Sequence, residues 1–243
     1  RTADELYHAG LRLEQFHSPA LEPYPYYEEA LRRDGGDYRA NAALGLLYLK
    51  RGITDEAIAK LRAAVARATE NHTRPKDTEA LYYLGVALRA KGDRASARDA
   101  LGRAAWGIAW RAAAYYVLAE MDVEEGDFAG AVLHLKESIS YNARNTKALV
   151  LASVVARKAG VATSEFVVGG RAEDIDPLDF WAQRECVLAK RALEDSCAGD
   201  MAAELSKLMR GDAPSALELA SNYEAVGLYD EAIEALERFL AEK

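Results

Sequence analysis

Cysteine, proline, histidine and long apolar runs are all scarce in this 243-residue chain, and each scarcity excludes something. The two cysteines, Cys186 and Cys197, are eleven positions apart with no second pair and no partner histidines. A zinc site needs about four ligands, so both read as small core residues. Six prolines against an alanine content of about a fifth of the chain favour helix throughout, because alanine is the best helix former. That mix rules out a sandwich, a barrel and a collagen-like rod. No apolar run approaches the eighteen or so residues of a membrane span, and no signal-peptide core precedes the first helix-like segment. The sequence leaves the compartment open, with the cytoplasm as the expectation. Positive charge is also in deficit: the formal net charge is -8 and the pI is near 5.2. Bulk charge of that sign repels phosphate and argues against nonspecific binding to nucleic acid or anionic membrane. The first residue is Arg1 rather than Met, and the chain reads as a piece of a longer protein.

What is abundant is repetition. The segment Ala43-Leu44-Gly45-Leu46-Leu47-Tyr48, followed by Gly52, Ala57, Leu61 and Ala64, returns as Leu84-Gly85, Leu88, Gly92, Ala97, Leu101 and Ala104. It returns again as Leu118-Ala119, Gly126, Ala131, Leu135 and Ser138, and finally as Leu219-Ala220, Tyr223, Gly227, Ala232, Leu236 and Phe239. Taking the residue at the tight spot as a marker, the series is Leu11, Gly45, Gly85, Ala119, Ser153, Val187 and Ala220, at intervals of 34, 40, 34, 34, 34 and 33. A helical hairpin of about 34 residues is a common repeat unit.

This pattern resembles the tetratricopeptide repeat. The resemblance implies an all-α chain, a right-handed superhelical solenoid of about seven helix-turn-helix hairpins. As one continuous solenoid over 1–243, its repeats fall at 4–37, 38–77, 78–111, 112–145, 146–179, 180–212 and 213–243. The small marker lets the first helix of a hairpin approach the second, which answers with Ala57, Ala97, Ala131 or Ala232. Tyr27, Leu61, Leu101, Leu135 and Leu236 fill the space to the next hairpin. Gly52, Gly92, Gly126, Gly160 and Gly227 sit where the first helix ends and a left-handed backbone is favoured. Asp55, Asp93, Asp127 and Asp230 fall at or near the start of the second helix, where a carboxylate caps free amides.

Departures from the pattern carry expectations of their own. The 40-residue interval predicts six extra residues around 69–77, lengthening the second helix of repeat two and adding a projecting loop. Pro19, Pro23 and Pro25 delay the second helix of repeat one to about Tyr24. Gly169-Gly170 stands where a bulky helix residue belongs, so that helix should be weakened. Repeat six, around Cys186 to Met209, has the least secure boundaries. The final helix, from Glu231, carries Ile233, Leu236, Phe239 and Leu240 with no polar capping helix after it, which leaves that end open to self-association.

A narrower resemblance rests on Phe16-His17, Tyr26-Tyr27-Glu28-Glu29-Ala30-Leu31-Arg32-Arg33-Asp34, Ala105-Trp106, Trp110-Arg111-Ala112 and Asp176-Pro177-Leu178-Asp179-Phe180-Trp181. These phrases look like the carboxy-terminal repeat region of a family of large bacterial proteins, in which the repeats follow a carbohydrate-related domain of unknown function. It implies either a scaffold or an accessory region of a carbohydrate-active enzyme whose catalytic domain lies upstream.

No catalytic constellation is legible. There is no phosphate loop and no His-Glu-x-x-His, and Val168-Gly169-Gly170-Arg171 lacks the strand–turn–helix context of a nucleotide fingerprint. His8, His17, His72 and His134 lie on different hairpins without ligand spacing. Glu28-Glu29 and Glu124-Glu125 are sequence neighbours that point about 100° apart on a helix, unlike a general acid and base facing one substrate. Asn71-His72-Thr73 fits a glycosylation sequon of little weight. The expectation is a non-catalytic chain without cofactor or metal. Its partner would be a protein, a peptide or a neighbouring domain of the same chain, held in the groove lined by the first helices. Counting from the markers places Arg39, Tyr82, Arg89, Tyr116, Glu120, Lys147, Arg157, Arg184 and Arg191 along that groove. Arginine suits carboxylate or phosphate through its planar fork, so the groove is expected to be locally positive. The tetratricopeptide variant that grips a terminal carboxylate with Lys and Asn is not matched, since Ala42, Leu46, Tyr82 and Val86 stand at those positions.

Overall fold

In a computed structural model of the chain, residues 2–17, 20–160 and 169–241 are described, with the side chains of 169–171 left aside. Among them are fourteen helices and no strand. They run in sequence as α1 (Ala3–Gln15), α2 (Tyr24–Arg33), α3 (Tyr38–Lys50), α4 (Thr54–Thr69), α5 (Glu79–Lys91), α6 (Arg94–Ala104) and α7 (Ile108–Glu125). The remainder are α8 (Phe128–Tyr141), α9 (Thr146–Lys158), α10 (Gly169–Ile175), α11 (Phe180–Ala192), α12 (Ala198–Met209), α13 (Ala213–Glu224) and α14 (Tyr229–Ala241). The chain divides into two compact units, Arg1–Ala114 and Tyr115–Lys243.

The local reasons for these helices are those the sequence carries. Gly52, Gly92, Gly126, Gly160 and Gly227 all take positive φ. At Gly92, which closes α5 with φ 86°, the amide donates back to the Arg89 carbonyl; a side chain would strain that left-handed turn. Asp93 and Asp127 cap α6 and α8 through the amides of Ser96 and Gly130. Asp55 does not cap: α4 begins one residue earlier, and Asp55 instead meets Lys91 at 2.5 Å. Four first helices carry caps that the repeat pattern did not single out: Asp37, Asn145, Asp179 and Asp212 accept the amides of Ala40, Ala148, Ala182 and Ser215. Each stands at an Asp or Asn just before an alanine-rich run, the ordinary signature of a helix start.

Packing within hairpins follows the small-to-large pairing. A Cβ built on Gly85 would come within 2.5 Å of Leu101 Cγ, and one on Gly45 within 2.7 Å of Leu61 Cγ. In the first hairpin the close approach is made by Gly10 rather than Leu11: a Cβ there would lie 2.7 Å from the Tyr27 ring. The tight spot of the first hairpin is thus Gly10, one residue before the position that the repeat spacing predicts. α2 begins at Tyr24 behind Pro23, with Pro25 in its first turn, as the proline spacing predicts; Pro19 lies outside the described residues.

The extra residues after repeat two extend α4 to sixteen residues and form a loop that is exposed apart from the buried Pro75 and Thr78. That loop is tied down at its end, where Arg74 Nη2 donates to the Trp106 carbonyl at 2.6 Å and Thr78 Oγ1 to the Ala104 carbonyl at 2.9 Å. α10 has only seven residues, in keeping with the two glycines at its start; 161–168 lie outside the described residues. Cys186 and Cys197 are free thiols and half-buried rather than core residues. Burial, followed by the neighbouring Glu173, pushes the Cys186 thiol up to about 12. No helix among the described residues is long and apolar enough to cross a membrane.

Candidate binding groove

In the first unit the first helices α1, α3 and α5 lie side by side. Between them opens a recess of about 440 Å³ lined by Tyr7, Leu11 and Glu14 of α1, Tyr38, Arg39, Ala42, Ala43 and Leu46 of α3, and Asp77 and Glu79 at the start of α5. The width comes from Ala42 and Ala43, where larger side chains would fill the space.

The recess is aromatic and acidic. Burial raises the Tyr7 hydroxyl above its ordinary range and lifts Tyr38 well above it. The Tyr38 hydroxyl is enclosed beside Asp77 and the Ala80 amide, without a hydrogen bond of good geometry to either. Tyr83, pushed up to about 12 by burial, feels Glu79 and Glu14. Glu79 is itself raised, first by burial and then by the like charges of Asp77 and Glu14. Against these stand two cations with partners of their own. Arg39 donates to Asp4 at 2.7 Å and lies over the Tyr7 ring at 4.6 Å, while Lys50 meets Glu14 at 3.4 Å. The expected local positive charge is not found here, because the structure supplies each basic group with a carboxylate from a neighbouring helix.

The other sequence-selected residues separate into three groups. Tyr82 stacks on Trp110 at 4.8 Å, and Tyr83 meets the same indole edge-on at 5.2 Å; Arg89 is half-buried near the end of α5. In the second unit Tyr116 packs on the apolar core, Glu120 is half-buried and Lys147 is exposed at the start of α9. Arg157, Arg184 and Arg191 form the third group, and here the structure corrects the expectation of an open, positive surface.

Helices α9, α11 and α13 are neighbours, and α14 packs on α13. Arg157 donates through Nε and Nη2 to both oxygens of Glu185, at 2.9 and 3.0 Å, and reaches Glu231 at 3.3 Å. Tyr223 donates its hydroxyl to the same Glu185 at 2.6 Å, and Lys158 pairs with Glu231. Arg184, 1% exposed, lies 3.0 Å from Glu234, which Arg191 approaches at 3.6 Å. Arginines at helical spacing read as a basic stripe; the acids that neutralise them come from helices remote in sequence.

One pair was missed altogether. His134 Nδ1 lies 2.6 Å from the buried Asp122 carboxylate, with the Tyr115 ring stacked on the imidazole at 5.8 Å. No group of three or more His, Cys, Asp or Glu among the described residues could hold a metal ion.

Known proteins share the helical fold. The tetratricopeptide repeat family model matches residues 25–72 and 62–114. Among solved structures, Pseudomonas aeruginosa pilF is similar at 17% identity over 90% of this chain and 95% of that chain, with a TM-score of 0.70. A tetratricopeptide repeat protein from Parabacteroides merdae is similar at 12% identity over 98% and 92%, with a TM-score of 0.68. YrrB, described as a TPR protein with an unusual peptide-binding site, is similar at 19% identity over 75% and 87%, with a TM-score of 0.55. The tetratricopeptide repeat model thus accounts for residues 25–114, and the all-helical fold is of the kind these solved structures share.

Proposed function

We propose that this protein is a non-catalytic scaffold that holds a peptide or protein segment in the recess between α1, α3 and α5. The observation that carries the reading is the recess itself: about 440 Å³ of space walled by tyrosines and bordered by carboxylates on three adjacent first helices. Tyrosine gives large contact area at low entropic cost, and helical repeats use such stacked first-helix surfaces for binding. The peptide site of YrrB, a protein of similar fold, supports the same use. The narrower resemblance at Tyr26–Asp34 and Asp176–Trp181 would place the scaffold beside a carbohydrate-acting domain of the same polypeptide.

Selection of a displayed random-peptide library against the full chain tests the reading. Recovered peptides should bind the unaltered chain at micromolar strength and lose binding to Ala43→Arg, which fills the recess. Recovery of no binder, or of binders indifferent to Ala43→Arg, would overturn it.

A further inference from the structure

The first unit already holds two of its own arginines in one manner. Arg39 lies over the Tyr7 ring at 4.6 Å and donates to Asp4 at 2.7 Å. Arg51 lies over the Tyr24 ring at 4.2 Å and donates to Glu22 at 3.2 Å. In each case a guanidinium rests on a tyrosine face while a carboxylate takes its edge, the pairing its planar fork and ring attraction favour.

Glu79 lines the recess without an arginine of its own. It lies in the recess with Tyr7 and Tyr38, one helical turn before Tyr83 on α5, and makes no hydrogen bond or ion pair through its carboxylate with any described residue. The charges it feels are those of Asp77 and Glu14, both negative. The two nearby cations are committed, Arg39 to Asp4 and Lys50 to Glu14. A half-buried carboxylate among like charges is an unfavourable arrangement for the free protein, and a cation from outside relieves it.

Resting on the reading of this recess as a peptide site, we propose that it takes a peptide presenting an arginine side chain, with Glu79 as the counter-charge and Tyr38 lining the space around it. A lysine ammonium would answer the charge but not the fork or the ring. The expectation of an acidic ligand, natural for a groove of arginines, is thereby reversed for this unit.

The test uses three short capped peptides of glycine, serine and leucine that differ at two positions: arginine, its neutral isostere citrulline, or glutamate. Each is titrated into the full chain by calorimetry. The arginine peptide should bind about 10–100-fold more tightly than the citrulline peptide, the range expected for a hydrogen bond between charged groups. Glu79→Gln should erase that preference, leave the citrulline peptide's affinity unchanged, and leave the melting temperature unchanged or raised. Equal binding of arginine and citrulline peptides, or tighter binding of the glutamate peptide, would overturn arginine recognition while leaving the peptide site standing. Binding insensitive to Ala43→Arg would remove both readings; no binding by any of the three would overturn arginine recognition and leave the peptide site to the library selection. The comparison of peptides on the unaltered chain decides the matter even where a variant fails to fold.

Discussion

Replacing Arg157 by alanine separates a fastener from a ligand contact. The Glu185 side chain is 1% exposed and accepts two hydrogen bonds from Arg157 and one from Tyr223. Arg157 itself is only 16% exposed and also ties α14 through Glu231. Removing the guanidinium leaves a buried carboxylate with a single donor, and breaking a buried pair in this way costs about 3–5 kcal/mol. A domain stability is itself only about 5–15 kcal/mol, so the second unit should lose a large share of its margin. In thermal unfolding followed by circular dichroism, the loss corresponds to a fall of roughly 10–20 °C in Tm. Arg191→Ala is the matched control: its side chain is 45% exposed and 3.6 Å from Glu234, and an exposed pair is worth about 0–1 kcal/mol. The triple variant Arg157→Met, Glu185→Leu and Tyr223→Phe removes both charges and the hydroxyl that Glu185 accepts from, and should recover most of the loss, since apolar replacements of buried pairs are often neutral or better. A loss under about 1 kcal/mol for Arg157→Ala, or a triple variant weaker than the single one, would refute the reasoning.

Other expectations follow from single contacts. Gly85→Ala should destabilise the first unit by about 1–2 kcal/mol in urea unfolding: overpacking against Leu101 costs about 1–3 kcal/mol, offset by up to about 1 kcal/mol of helix propensity. The same exchange in reverse, Ala119→Gly, should also destabilise by about 1 kcal/mol, because the fourth hairpin already accommodates the methyl group against its core. Tyr27→Phe removes the hydrogen bond to Glu14 at 2.9 Å and should cost about 1 kcal/mol by the same measurement.

Two carboxylates, one in each unit, should contribute to the pH dependence of stability with opposite sign. Burial would raise Glu231, but Lys158 and Arg157 hold its carboxyl below the ordinary range, so its contribution is full above the unfolded value of about 4.3 and is lost as pH falls through the folded value. Glu79, raised by burial and by Asp77, does the reverse: its ionisation costs stability as pH rises from about 4.3 through its folded value. Unfolding of Glu79→Gln and Glu231→Gln across pH 3–7 should therefore remove slopes of opposite direction; parallel changes would refute both assignments.

The repeat length, the left-handed glycines after the first helices, the caps at Asp93 and Asp127 and the delayed start of α2 were all legible, because each depends on residues within a few positions of one another. Spacing also carried the seven hairpins and the insertion after repeat two. It could not carry the role of a charge. Arg157 meets Glu231 across 74 positions and Glu185 across 28, so whether an arginine on a helix face is a free cation or a buried fastener depends on which helix packs beside it. The same holds in reverse for Glu79, an unremarked acid in the sequence. It matters because α1, α3 and α5 assemble a recess around it in which the nearby Arg39 and Lys50 already have partners. Sequence by itself determined the hairpins and their order; only tertiary packing decided where uncompensated charge remains, since charge pairing is set by distance in space rather than along the chain.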